Sequence, residues 1–247
     1  MAAPTMIADG VHRLGTWMVN WYMVDEEGRL TVVDTGVPGY RPQLDEALSA
    51  LGRSMTDIEA VVLTHAHADH IGLAEHIRRE AGARVLVHGA DEPMARTGKL
   101  EKREGSMLPY LRHAMAWRLL WHLVRTGGAR IPPVEEVETF ADGDVLDVPG
   151  RPRVVATPGH TKGHVAFHLE RQGVVFAGDA LCSLHPLTGS RGPQLMPPAF
   201  TNSTERALAS LDRIAALDAR TLLFGHGDPW TEGTATAVTR AREVGPT

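Results

Sequence analysis

Apolar positions along the chain alternate between short continuous runs and stripes at helical spacing. Val11 to Val24 and Arg29 to Asp34 read as two strands, joined through a hairpin turn at Asp25-Glu26-Glu27-Gly28. The second carries the run Leu30-Thr31-Val32-Val33 and stops at Asp34-Thr35-Gly36. Pro42 to Leu51 predicts a helix, because Leu44, Ala47, Leu48 and Leu51 fall on one face and Gly52 is a stop. Ala60 to Thr64 predicts a short buried strand, Ile71 to Ala81 a helix closed by Gly82, and Arg84 to His88 the next strand.

The pattern then changes. Asp91 to Arg130 contains no good strand and reads as a helical insertion with a charged start at Lys99, Glu101, Lys102, Arg103 and Glu104. Leu108, Leu111, Met115, Leu119 and Leu123 share one face, while Trp117, Leu120, Trp121 and Val124 make much of the other apolar. A helix apolar on two sides is packed in a core, lines a pocket or meets a partner. Strands resume at Val145 to Val148, Arg153 to Thr157, His164 to Leu169 and Val174 to Ala177. Pro186 to Ala199 reads as a loop, Thr204 to Leu217 as a helix with Thr204 as its cap, Arg220 to Phe224 as the last strand and Glu232 to Glu243 as the last helix. Apolar strands covered by helices make the class α/β. Residues 1–247 are read as a single domain carrying the 91–130 insertion.

Composition narrows the function. The chain has 247 residues, 43% of them hydrophobic, which suffices for a real core. Its 25 Lys and Arg face 30 Asp and Glu, a net charge of −5, so no basic excess exists to bind nucleic acid. The single cysteine, Cys182, forms no internal disulfide and cannot build a thiolate-only zinc site. It is read as a small buried apolar residue rather than a nucleophile. Met1 to Gly10 shows no basic start and no apolar stretch, and Leu108 to Val124 carries too many polar groups to span a membrane. The expected location is cytoplasmic.

Histidine is the unusual residue, with 13 copies, several packed into two short segments. Five predicted strands end in metal-type side chains: Asp34, the segment His65-Ala66-His67-Ala68-Asp69-His70, His160, Asp179 and His226. Small residues flank nearly all of them, which lets several backbones crowd one point. His65 and His67, two apart in extended chain, project to the same side. Asp69 and His70 follow as the chain turns into a helix. Imidazole and carboxylate are ligand types that zinc takes after thiolate, and iron and manganese accept them too.

With these motifs in order, the chain resembles the metallo-β-lactamase superfamily. The resemblance runs from about Val11 to Trp230 through Val33-Asp34-Thr35-Gly36, the His65 to His70 segment, Thr157-Pro158-Gly159-His160-Thr161-Lys162-Gly163-His164, Gly178-Asp179 and Gly225-His226-Gly227. It implies a four-layered αβ/βα sandwich with two divalent ions at one edge, zinc being preferred over iron or manganese. By matching position, His65, His67 and His160 would hold the first ion, and Asp69, His70 and His226 the second. Asp179 would bridge them, and Asp34 would orient a ligand histidine. His164 is read as supporting or structural. The implied reaction is hydrolysis by a metal-bridging hydroxide, with Asp69 and Asp179 as the participating carboxylates.

Departures from the family's branches bear on the substrate. Asp179 stands where the dizinc β-lactamases lack a bridging carboxylate, and His67 where the flavin-linked diiron branch has Glu. The glyoxalase-II branch shares the Thr157 to His164 pattern but adds a C-terminal helical region for glutathione. The lactonase branch has a Tyr at the position of Cys182. What remains is a carboxylic ester, thioester or lactone, a small-molecule substrate of apolar or acyl character. Trp117, Trp121, Met115, Cys182 and His185 are the candidate pocket residues. The alternative for the apolar faces of 91–130 is a homodimer interface. Two other activities compete: a mononuclear iron dioxygenase of a thiol or persulfide, and a phosphodiester hydrolase.

Overall fold

A computed structural model of the protein describes residues 4–246. Residues 1–3, within the segment read as lacking a leader, and residue 247 lie outside the described residues. Seven strands form the larger sheet in chain order: β1 (Thr5–Ala8), β2 (Val11–Gly15), β3 (Asn20–Glu26), β4 (Arg29–Val33), β5 (Ile58–Val62), β6 (Arg84–His88) and β7 (Glu138–Phe140). Pairing is antiparallel from β1 to β4 and parallel from β4 to β7. The chain continues into β8 (Arg153–Ala156), β9 (Val165–Leu169) and β10 (Val174–Gly178). A two-stranded ribbon follows, β11 (Cys182–Leu184) with β12 (Arg191–Gln194). Strand β13 (Thr221–Phe224) completes a second sheet in the order β13-β10-β9-β8.

The two sheets face each other across one apolar layer. Tyr22, Val24, Val33, Val62 and Leu86 meet Val154, Phe167, Leu169, Phe176 and Leu223 there. The alternating residues point the other way, onto helices. Val32, Val61 and Val85 pack under α1 (Arg41–Leu51), α2 (Ala74–Ala81), α3 (Glu92–Thr97) and α4 (Ala114–Thr126). Val175, Ala177, Leu222 and Phe224 pack under α5 (Thr204–Ala215) and α6 (Thr234–Val244). Both faces of the central strands are therefore largely dry, which is why β10 reads as a continuous apolar run rather than an alternating one. The result is the expected helix–sheet–sheet–helix sandwich. No helix among the described residues is long and apolar enough to cross a membrane.

Several predicted elements are corrected. The stretch read as one strand from Val11 to Val24 is two, because Gly15 takes φ +98° and Thr16 N–H donates to Val19 O, folding β2 back on β3. The helix read from Ile71 starts at Ala74, since Gly72 N–H is drawn to Gly36 O. Val145 to Val148 makes only one bridge, Val145 to Arg153. The insertion's second half divides at His113, whose extended backbone separates a short 3-10 turn over Leu108–Arg112 from α4. The loop over 186–199 contains β12. Ser203, not Thr204, caps α5: its side chain accepts from Arg206 N–H. Strands β1 and β7 are too short for periodicity to mark them.

Candidate metal centre

Five chain segments converge at one edge of the sandwich, where β4, β5, β10 and β13 end. Backbone hydrogen bonds stitch the sheets together there: Asn20 N–H donates to Gly225 O at 2.8 Å, and Val165 N–H to Thr64 O at 2.9 Å. Strand β4 delivers Asp34, β5 the His65 to His70 segment, β8 the loop holding His160, β10 Asp179, and β13 His226. Two glycines make the convergence possible. A Cβ on Gly225 would lie 2.2 Å from Asp179 Oδ1, and one on Gly178 2.7 Å from Thr64 Oγ1.

Asp179 sits in the middle. Its Oδ2 lies 3.3 Å from His226 Nε2, 3.4 Å from His160 Nε2 and 3.9 Å from His65 Nε2. Its Oδ1 lies 3.6 Å from His70 Nε2. His226 Nε2 is also 3.5 Å from Asp69 Oδ2, and His67 Nδ1 stands 2.9 Å from His160 Nε2. The rings are aimed from behind. His70 Nδ1 donates to Asp34 Oδ2 at 2.8 Å, and His226 Nδ1 donates to the Met18 carbonyl. Thr64 gives its hydroxyl proton to Asp34 Oδ2 and so can accept from His65 Nδ1 at 3.0 Å. Each of these rings is thereby left with its Nε2 lone pair facing inward. Asp34 holds this role in a left-handed backbone conformation, φ +55°.

Several atoms of this inward set lack a partner. His65 Nε2, His70 Nε2 and Asp179 Oδ1 are buried with no hydrogen-bond partner. Burial and the neighbouring imidazoles hold His65 and His160 well below the usual histidine range, and burial brings His67 down to about 4. Burial opposes charge on His70 as well, but the Asp179 and Asp34 carboxylates outweigh it and hold that ring well above the usual range. The same balance, led by Asp179, takes His226 up to about 8. For Asp179 itself, burial disfavours charge, yet His226 and His70 keep the carboxyl well below its ordinary value.

Converging imidazole and carboxylate ligand atoms, several of them buried without a partner, fit a cation. Three groups bring their ligand atoms within 4.8 Å of one another: His65, His67 and His160; His65, His70 and Asp179; and Asp69, His70 and His226. Nitrogen and carboxylate donors without sulfur suit zinc, iron or manganese. A tightly bound ion also stabilises the fold by mass action, about 2.7 kcal/mol at a hundredfold excess over Kd. Removing metal with a strong chelator is therefore expected to lower Tm by roughly 5–10 °C, reversed by added zinc, in a thermal melt. An unchanged Tm in metal-loaded protein would oppose the fit.

A model of the family described as metallo-beta-lactamase superfamily matches residues 14–226. The chain belongs to the metallo-beta-lactamase superfamily. A protein of Bacillus subtilis (strain 168) named probable metallo-hydrolase YflN is 28% identical over 234 residues, covering 91% of this chain and 86% of its own. A hydroxyacylglutathione hydrolase of Fuscovulum blasticum is 32% identical over 200 residues, covering 81% of this chain and 58% of the relative. Among solved structures, a metallo-beta-lactamase family protein from Thermus thermophilus aligns with TM-score 0.68 and 32% identity, over 97% of this chain and 79% of that one.

In this superfamily member a cavity of about 510 Å³ opens onto His67, Asp69, His160, Asp179 and His226. Residues of the 91–130 stretch line it, but Trp117, Trp121 and Met115 are not among them. Leu119, Leu120 and Leu123 of α4 line the cavity. Trp117 and Trp121 stand 57% and 63% exposed on another side of the same helix. Trp117 Nε1 donates to Leu111 O, and Arg125 lies over the Trp121 ring. Met115 packs against Gly189 and the helix-covered core. His185 is buried, accepting Leu187 and Thr188 N–H groups at Nδ1, and does not line the cavity. Cys182 is buried against Leu195 O, and burial pushes its thiol up, so it offers no thiolate. His164 is buried, with Nδ1 bonded to Thr157 Oγ1 and Nε2 accepting Asp179 N–H at 2.9 Å.

One residue of the site escaped sequence reading. Asp91, just past β6, accepts from Thr161 Oγ1 and Gly163 N–H at 2.7 Å and from Ala66 N–H at 3.2 Å. It ties the His65–His67 segment to the His160 loop. Burial pushes its carboxyl up to about 6. Its place after a strand end was the one available signal.

Proposed function

We propose that the protein is a dinuclear metal-dependent hydrolase of carboxylic esters, thioesters or lactones. His65, His67 and His160 would hold one ion, Asp69, His70 and His226 the other, with Asp179 between them. The observation that carries this reading is the Asp179 carboxylate, buried with four imidazole Nε2 atoms at 3.3–3.9 Å and partner-free at Oδ1. Bound divalent ions supply Lewis-acid polarisation and make water acidic enough to serve as a nucleophile near neutral pH.

The chain's own residues do the rest. Asp34, through Thr64 and His70, fixes ring orientation before any ligand arrives. Asp69 is half-buried and lines the cavity, with Oδ2 3.5 Å from His226 Nε2. Leu119, Leu120 and Leu123 exclude water from one side of the reacting centre, and apolar walls with a few polar groups suit an acyl substrate. No side-chain nucleophile is required. The hydroxyacylglutathione hydrolase relative supports an acyl substrate by its name.

The test is elemental mass spectrometry on protein purified without added metal, with a panel of esters, thioesters and lactones. Close to two zinc ions per chain and turnover of at least one acyl class are expected. About one iron per chain, unaffected by loss of His226, would overturn the reading in favour of oxygen-dependent chemistry on sulfur compounds. Turnover of phosphodiesters alone would overturn it in another direction.

A further inference from the structure

Arg103 lines both the apolar cavity and a second groove of about 550 Å³. Lys102, Lys162 and Arg206 line that groove as well. Their charges are unequally committed. Lys162 is paired with Glu101 at 2.9 Å, and Glu104 is occupied in accepting Thr204 N–H at 2.7 Å. Arg103 lies over the Phe200 ring, 5.5 Å from its centroid, and neither it nor Lys102 nor Arg206 has an ion pair among the described residues. Three cations without an ion pair thus line one groove of a chain of net charge −5. Focused positive charge next to a low-dielectric cavity attracts an anion, and guanidinium groups match phosphate bidentately.

We propose that the substrate is an apolar acyl group joined to a phosphorylated carrier, with the acyl chain in the cavity and the phosphates along Lys102, Arg103 and Arg206. Arg103, at the join, is the specificity residue. This rests on the acyl-hydrolase reading above and deepens it. In the reaction, the bond from the acyl carbon to the carrier's sulfur or oxygen breaks. Water supplies hydroxyl to the acyl carbon, and its remaining proton goes to the departing thiol or alcohol. No oxidant or reductant enters.

The test compares kcat/KM for S-octanoyl coenzyme A with that for S-octanoyl pantetheine, which share the acyl group and thiol arm but differ in the phosphorylated adenosine end; the Arg103 variants and added salt then separate the phosphates from the nucleoside. Wild-type protein is expected to favour the coenzyme A ester by roughly 30-fold, as charge-assisted contacts allow. That preference should fall at least about tenfold in Arg103→Met, fall less in Arg103→Lys and Arg206→Met, and shrink with added salt. A wild-type ratio near one, a full preference in Arg103→Met, or equal use of S-octanoyl glutathione would overturn the phosphate assignment while leaving the hydrolase reading standing. If neither thioester turns over, calorimetric binding of S-octyl coenzyme A, a thioether, decides. Binding that depends on Arg103 supports the proposal and places the failure with the hydrolase reading; no binding overturns the proposal.

Discussion

Asp179→Ala is expected to lower kcat/KM by at least roughly 10³-fold, about 4 kcal/mol of transition-state stabilisation. The size follows from position. Asp179 faces His65, His70, His160 and His226 at once, and it belongs to the ligand group formed with His65 and His70. Without it, four inward-facing imidazoles lose the carboxylate between them, and the proposed pair of ions keeps Asp69 but loses the second carboxylate. Metal content should fall from about two ions per chain to one or fewer. The backbone should hold, because Asp179 N–H bonds His164 whatever the side chain is. Asp179→Asn, which keeps the volume and loses the charge, should behave nearly as badly, separating electrostatics from packing. Activity within tenfold of wild type with two ions retained would show that Asp179 does not organise the site.

Gly225→Ala should cost about 10²-fold in activity, although it removes no functional group. The added Cβ would fall 2.2 Å from Asp179 Oδ1 and 2.6 Å from His70 Cε1, closer than side chains tolerate. The backbone cannot retreat. Gly225 N–H is bound to Gly178 O at 3.0 Å, and Gly225 O accepts Asn20 N–H at 2.8 Å. Asp179 and His70 must therefore move, and a misplacement of about 1 Å at a reacting centre can cost 10²-fold. The measurement is kcat/KM with metal content and Tm alongside. A folded protein with weakened metal retention is the expected pattern. Unchanged turnover would mean that the carboxylate's placement is not critical.

Much of the centre was legible because its signals are local. Asp34, the His65 to His70 segment, His160, Asp179 and His226 each follow an apolar run and stand beside small residues, so motif and strand end coincide. Asp91 lacked such a motif; its partners Ala66, Thr161 and Gly163 are distant in sequence and meet it only in the folded chain. Trp117 and Trp121 fall outside the cavity lining for a similar reason. Helix α4 is apolar on two sides, and periodicity cannot say which side meets the cavity. The turn at Gly15 was missed because both flanking segments suit strands, and only a positive φ reverses the chain between them.

By itself, the sequence determined the α/β class, the dry double-faced strands and the ligand types waiting at strand ends. These depend on side-chain alternation and residue chemistry within a few positions of one another. Tertiary structure alone decided that five strand ends share one edge, which nitrogen each ring turns inward, which face of α4 walls the cavity, and that Arg103 lines both the cavity and a basic groove. Those features depend on strand pairing and sheet stacking between residues far apart in the chain, where each contact is set by the packing of the whole core rather than by any local pattern.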